Sequence, residues 1–184
     1  MRRLGLVCAA LIALSACGGA PTPIEPKPKA SESNAAPSAE ATSTLDPPTL
    51  PAAAKRNDET GAANFVAYWV KVSNYAARTG ELELLESISA PDCEGCNRYI
   101  ELYKKTYEAG GYFRRGDRRL ERVEVQSDQS KVYVTADLMA SPGRYRNAAD
   151  KPEKTSPADL TKVTFLAERQ GSSWVMADVG LAAS

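Results

Sequence analysis

Histidine is absent from the 184-residue sequence. Imidazole is the side chain that titrates nearest neutrality and a common metal ligand, so its absence excludes Ser-His-Asp and Cys-His catalysis and any histidine-ligated metal. Cysteine is scarce, with only Cys8, Cys17, Cys93 and Cys96. A structural zinc site takes four ligands, and the two N-terminal cysteines have another reading, so no metal and no cofactor is expected. Neither sign of charge is in excess, with 23 Lys and Arg against 23 Asp and Glu, which leaves no generic basic surface for nucleic acid. No apolar run reaches the roughly 18 residues that a spanning helix needs. A P-loop, a dinucleotide fingerprint and a nucleophile elbow are all missing. No residue is assigned a catalytic role, and the chain reads as a non-enzyme.

The first nineteen residues, MRRLGLVCAALIALSACGG, are built as an export signal. Arg2 and Arg3 supply the positive start, and Leu4 to Leu14 form an apolar stretch too short to cross a bilayer. The segment Leu14-Ser15-Ala16-Cys17 resembles a bacterial lipobox. That resemblance implies diacylglycerol on the Cys17 thiol, removal of residues 1–16 and acylation of the new amine. Two or three acyl chains hold a protein stably on a membrane where one chain does not. Cys8 has too few apolar residues before it to compete. The alternative is an ordinary cleaved signal with an incidental cysteine. The expected location is the outer face of the cell membrane, with the lipid as the membrane contact.

Residues 17–57 read as a tether. Eight of the twelve prolines fall here, with alanine, serine and threonine and without aromatics. Such a segment cannot bury enough apolar surface to offset its ordering entropy, so it is expected to be a disordered spacer of about 35 Å. Four acidic residues (Glu25, Glu32, Glu40, Asp46) balance four basic ones (Lys27, Lys29, Lys55, Arg56), which argues against a polybasic lipid contact. The PKPK segment is the alternative, a weak protein ligand.

Residues 58–184 have the size of one domain. In DETGAANFVAYWVKVSNYAARTG, the residues Phe65, Trp69, Val72 and Ala76 recur at helical spacing, with Asn57 or Asp58 as cap and Gly80 as stop. Leu82, Leu85 and Ile88 mark a short second helix that Pro91 ends. A third begins near Cys93 or Asn97, carries Tyr99 or Ile100, Tyr103 and Tyr107 on one stripe, and stops at Gly110. The period then changes to two, in RLERVEVQS, KVYVTADLMA, TKVTFLAERQ and SSWVMADVGLA, with GGYFRR as one further short strand. SDQS and RQGSS read as tight hairpin turns, and residues 140–160 as a long polar loop. Three helices packed on a curved antiparallel sheet of four to five strands make an α+β domain.

This order and length resemble the cone-shaped nuclear-transport-factor-two-like superfamily. The lipobox, the proline-rich tether, FVAYWVKVSNYAARTGELELL, SAPDCEGCNRYIELYKK and the following GGYF together resemble a family of uncharacterised actinobacterial lipoproteins. The resemblance implies a fold and a location and no reaction. The same fold serves as a spacer in some penicillin-binding proteins, so a structural role is one implication.

Cys93 and Cys96 admit three readings. A structural disulfide fits an extracytoplasmic domain, and Gly95 lets the CEGC loop turn. A thiol oxidoreductase also sets two cysteines at a helix N-terminus. However, its usual setting is a parallel α/β sheet, and Asp92 and Glu94 here disfavour a thiolate. Half a zinc site lacks its other half. The disulfide is the expected state.

Two further sets of residues are candidates. Tyr68, Trp69, Tyr75, Tyr99, Tyr103, Tyr107 and Trp174 can wall a cavity, with Asp137 or Asp178 as its carboxylate; the alternative places the tyrosines in the core. Arg114, Arg115, Arg118, Arg119 and Arg122 can bind phosphate or a wall polyanion; the alternative is a solvated hairpin end paired to Asp117, Glu121 and Glu124. Three functions follow. The first is a non-catalytic domain binding an envelope protein or cell-wall ligand. The second is a cone pocket for a small or lipidic molecule, with weak turnover at most. The third is a thiol-disulfide oxidoreductase.

Overall fold

A computed structural model describes residues 45–128 and 131–182. The segment resembling a lipobox, with Cys17, most of the expected tether, and Gln129 and Ser130 between the first two long strands lie outside the described residues.

Three helices precede seven strands: α1 (Glu59–Thr79), α2 (Glu83–Ser87), α3 (Glu94–Glu108), β1 (Tyr112–Arg115), β2 (Arg118–Asp128), β3 (Lys131–Ala140), β4 (Gly143–Arg146), β5 (Lys154–Ser156), β6 (Asp159–Gln170) and β7 (Ser173–Leu181). The Asp58 carboxylate accepts from the Gly61 N–H at 2.8 Å and caps α1, satisfying one of the donors a helix start leaves open. Gly80, at φ 79°, ends α1 in the left-handed conformation that favours glycine. β6 and β7 are joined through Gly171, at φ 62°, and Ser172, a two-residue hairpin loop.

The strands form two antiparallel sheets, one in the order β2-β3-β6-β7 and a smaller one in the order β1-β4-β5. The α+β class holds, and the expected count of four to five strands is corrected to seven. β4 and β5 lie inside the segment expected to be a polar loop. They are short, β5 is exposed and β4 half-buried, and their residues are almost all polar or glycine, so no alternation of apolar residues betrays them.

α1 and α3 bury Phe65, Trp69, Val72, Ala76, Ile100 and Tyr103 against one face of the larger sheet, whose Val134, Phe165, Ala167 and Met176 are all closed to solvent. A register shift between Glu121 and Glu124 interrupts β2. Arg122 sits there at φ 48°, and Val123 is turned out to 44 % exposure instead of continuing the inward set. A bulge leaves one residue unpaired and reverses the alternation beyond it.

The boundary at residue 57 is corrected. Residues 45–56 are part of the folded unit: a single 3-10 turn, Ala52–Lys55, buries Ala54 to 2 % exposure. Tyr68 Oη donates to the Pro48 carbonyl at 3.3 Å, and Trp174 Nε1 donates to the Arg56 carbonyl at 2.8 Å. The composition of this strap is that of a spacer, but its carbonyls satisfy two aromatic donors that burial would otherwise leave unpaired.

Candidate functional site

Cys93 and Cys96 form a disulfide with their Cα atoms 5.3 Å apart, and both residues are fully buried. The Cys96 N–H points at Cys93 Sγ, so the bridge occupies the N-cap of α3. Between them Gly95 lies against β7. A Cβ there would fall 1.8 Å from the Val179 carbonyl oxygen. The disulfide and the glycine therefore set how closely α3 approaches the sheet.

Beyond that contact the helix and the sheet diverge, and a cleft of about 640 Å³ opens between them. Tyr99 and Leu102 of α3 form one wall. Leu138 of β3, Val163 of β6, and Val179 and Leu181 of β7 form the other. Leu102 is 47 % and Leu181 79 % exposed, so the mouth is apolar as well as the floor. Arg98 and Asp159 bring one charge of each sign to the rim.

Arg118, the first residue of β2, closes one end. It also borders a second cleft of about 260 Å³, walled by Phe113, Tyr145 and Arg115. Its backbone is clamped by Asn74 of α1, whose amide donates to the Arg118 carbonyl at 2.8 Å and whose oxygen accepts from its N–H at 3.0 Å. Its Nη1 donates to Tyr103 Oη at 2.9 Å, and its guanidinium lies 4.7 Å from the Tyr99 ring centroid. Tyr103 Oη also shares a hydrogen bond with Ser73 Oγ at 3.2 Å, both side chains being buried. Burial alone lowers the pKa of Arg118; Tyr103 and Tyr99 outweigh it, and the net direction is upward. Among the described residues, no carboxylate lies within ion-pair distance of this guanidinium.

The nine residues expected to wall one cavity are dispersed. Tyr99 lines the larger cleft and Tyr103 the smaller. Trp69 is core, donating to Ser89 Oγ at 2.9 Å and meeting Phe165 edge-on. Tyr75 donates to the Glu81 carboxylate, which raises its pKa through that hydrogen bond. Tyr107 donates to the Ala77 carbonyl at 2.9 Å. Tyr68 and Trp174 hold the strap. Neither carboxylate enters the cavity. Asp137 alternates with the inward Ala136 and Leu138, so it lies on the far face of the sheet, paired with Arg122. Asp178 is exposed, opposite Leu166, on that same face. The register shift between Leu166 and Ala167 displaces it by one position.

The arginine cluster is also dispersed, because β1 and β2 belong to different sheets. Arg114 stacks over Tyr112, Arg119 pairs with Glu121 at 2.9 Å, and Arg122 covers Asp137. Arg115 and Arg118 share the second cleft. Sequence reasoning placed Tyr103 and Arg118 in separate sets and missed Ser73 and Asn74. The sequence carries no local signal for a contact that spans 44 positions.

A model of a family described as "Family of unknown function (DUF6318)" matches residues 21–180. No curated protein matches the sequence. Among solved structures, the intermembrane space region of the chloroplast protein ARC6 is similar at 19 % identity and a TM-score of 0.54, over 70 % of this chain and 99 % of that one. This likeness concerns the fold alone. A putative dehydratase of the NTF2-like family from Streptomyces avermitilis is similar at 14 % identity and a TM-score of 0.42, over 67 % and 99 %. An uncharacterised protein with a cystatin-like fold from Caulobacter vibrioides is similar at 12 % identity and a TM-score of 0.42, over 67 % and 91 %.

Proposed function

The chain belongs to the DUF6318 family of unknown function, and from that premise we propose that it is a non-catalytic binding domain whose site is the cleft between α3 and the larger sheet. In this reading lipid on Cys17 anchors it to the outer face of the cell membrane, and the proline-rich tether gives the domain its reach. The Leu14-Ser15-Ala16-Cys17 segment supports the anchor. Among the described residues no helix is long and apolar enough to cross a membrane.

The observation that carries the binding reading is the cleft itself, about 640 Å³ of largely apolar wall with an arginine at one end. Small-molecule sites have this volume and this make-up, mostly apolar with a few placed polar groups. The two carboxylates that were candidates for turnover lie on the opposite face of the sheet, away from any tyrosine of the cleft, which favours binding over chemistry. The oxidoreductase reading has less support, because both sulfurs are buried and a dithiol that exchanges with substrates needs access.

The neutral apolar probe N-phenylnaphthylamine tests the cleft. It is expected to fluoresce on binding the full chain and to lose most of that signal in Thr161→Trp, which fills the cleft from β6. A signal that Thr161→Trp leaves intact overturns this site. Fatty-acid labelling that survives Cys17→Ala overturns the anchor.

A further inference from the structure

We propose that the cleft takes an aliphatic chain ending in an oxyanion, a carboxylate or a phosphate monoester, with Arg118 holding the head group. This rests on the cleft being the binding site and adds the chemistry of its ligand.

Arg118 is half-buried. Its guanidinium is packed between Tyr99 and Tyr103 at the end of an apolar cleft. Withdrawing a charge from water without an opposite charge is expensive. Its neighbours offer an aromatic face and a phenol oxygen, both weaker partners than a carboxylate. Neither nearby carboxylate pairs with it: Asp117 lies 3.5 Å from Arg78, and Asp159, on the far side of Ala140 from Arg118, accepts from Thr161 Oγ1 at 2.8 Å. A guanidinium carries several N–H donors in a planar fork that matches an oxyanion. Only the Nη1 bond to Tyr103 uses one here among the described residues. Among the described residues, the remaining donors find no protein acceptor.

Preorganisation is the second element. Asn74 fixes the backbone of Arg118 through two hydrogen bonds, and Tyr103, itself held by Ser73, fixes the side chain. A group held this way loses little conformational freedom when a ligand arrives. Apolar surface supplies the third element. Leu102, Leu138, Val163, Val179 and Leu181 line the same cleft as Arg118 and offer apolar surface to an alkyl chain whose charged end meets the guanidinium.

The experiment is displacement of N-phenylnaphthylamine from the full chain carrying Cys17→Ala, so that no attached acyl group competes. Three chains of equal length, laurate, dodecyl phosphate and dodecanol, are the competitors. At least one anion is expected to displace the probe about tenfold to a hundredfold better than the alcohol, the range of one charge-assisted hydrogen-bonded contact. Arg118→Met is expected to remove that preference while leaving dodecanol within about twofold. A preference for laurate identifies a fatty-acid head, and one for dodecyl phosphate identifies a lipid phosphate. Equal displacement by all three on the chain that keeps Arg118 overturns the proposal and leaves the cleft reading standing. Failure of the probe to bind at all overturns both. The comparison of acid with alcohol needs no change at Arg118, so a poorly folding Arg118→Met does not decide the outcome.

Discussion

Arg118 Nη1 donates to Tyr103 Oη at 2.9 Å, joining the first residue of β2 to the middle of α3 through a buried phenol. The same oxygen meets Ser73 Oγ on α1, so one hydroxyl links three elements. Tyr103 is 1 % exposed, which means that water cannot replace a lost partner there. Tyr103→Phe is therefore expected to cost about 1–3 kcal/mol, the penalty for leaving buried donors unpaired. Urea unfolding followed by circular dichroism measures it as a lower midpoint at unchanged slope. Ser73→Ala in the same background should cost less than it does in the unaltered chain, because the two share one bond.

The strap yields a second expectation. A chain beginning at residue 58 loses the burial of Ala54 and leaves the Trp174 indole and the Tyr68 hydroxyl without their carbonyls. Relative to a chain beginning at residue 45, it should be less stable by about 2 kcal/mol or more. Equal midpoints for the two would return residues 45–57 to the tether.

These two cases mark how far the sequence could be read. The helical stripe of α1 and the hairpin alternation of β3, β6 and β7 are each set within a dozen or so neighbours, and periodicity exposes them. Cys93 and Cys96 were legible because they are the only two cysteines after residue 17, three positions apart with Gly95 between them. The strap was not legible, since its prolines and alanines describe a spacer unless Tyr68 and Trp174 are known to need acceptors. The site was half legible: Tyr99, Tyr103 and Arg118 stood in the candidate sets, but their meeting depends on strand register. The bulge at Glu121/Glu124 and the two-sheet arrangement, which scatter the other arginines, have no signature in residue type.

The disulfide makes a third prediction. Its closed loop is very short, so the chain-entropy gain lies at the low end, and Cys93→Ala with Cys96→Ala should cost about 2 kcal/mol. Full burial of both residues adds a kinetic expectation. Dithiothreitol followed by alkylation should label the native chain only as fast as it unfolds, and readily in denaturant. Rapid labelling of the folded chain would place the pair among accessible, exchangeable thiols and reopen the oxidoreductase reading.

Gly95 and Gly180 form a matched pair on the cleft wall. A Cβ on Gly95 meets the Val179 carbonyl at 1.8 Å, whereas a Cβ on Gly180 has nothing within 4 Å. Backbone cannot swing aside as a flexible side chain can, so Gly95→Ala must push α3 off β7. The expected cost is roughly 3 kcal/mol, at the upper end for overpacking. Gly180→Ala should stay within about 0.5 kcal/mol. Thermal melts of the two variants separate the claims; similar melts would mean that the helix-to-sheet contact at Gly95 is not close.

Asp58 makes the stability of the fold depend on pH. Its pKa is held below the usual carboxylate value by the side-chain hydrogen bond from Arg56 first and the Gly61 N–H next. A carboxyl group with a lowered folded-state pKa binds its proton less readily when folded. Its contribution is complete above the ordinary unfolded value of about 3.9 and is lost as pH falls through the folded value. Asp58→Asn keeps a capping oxygen and removes only the charge. The unaltered chain should therefore melt a few degrees above Asp58→Asn at pH 7. The gap should hold down to about pH 5 and close under stronger acid. A gap that is constant across this range would assign the effect to cap geometry rather than charge. The same carboxylate that starts α1 also holds the Arg56 side chain, and the Arg56 carbonyl receives the Trp174 indole. Loss of the charge should thus loosen the strap before it unwinds the helix, seen as earlier proteolysis at residues 45–57 than within α1.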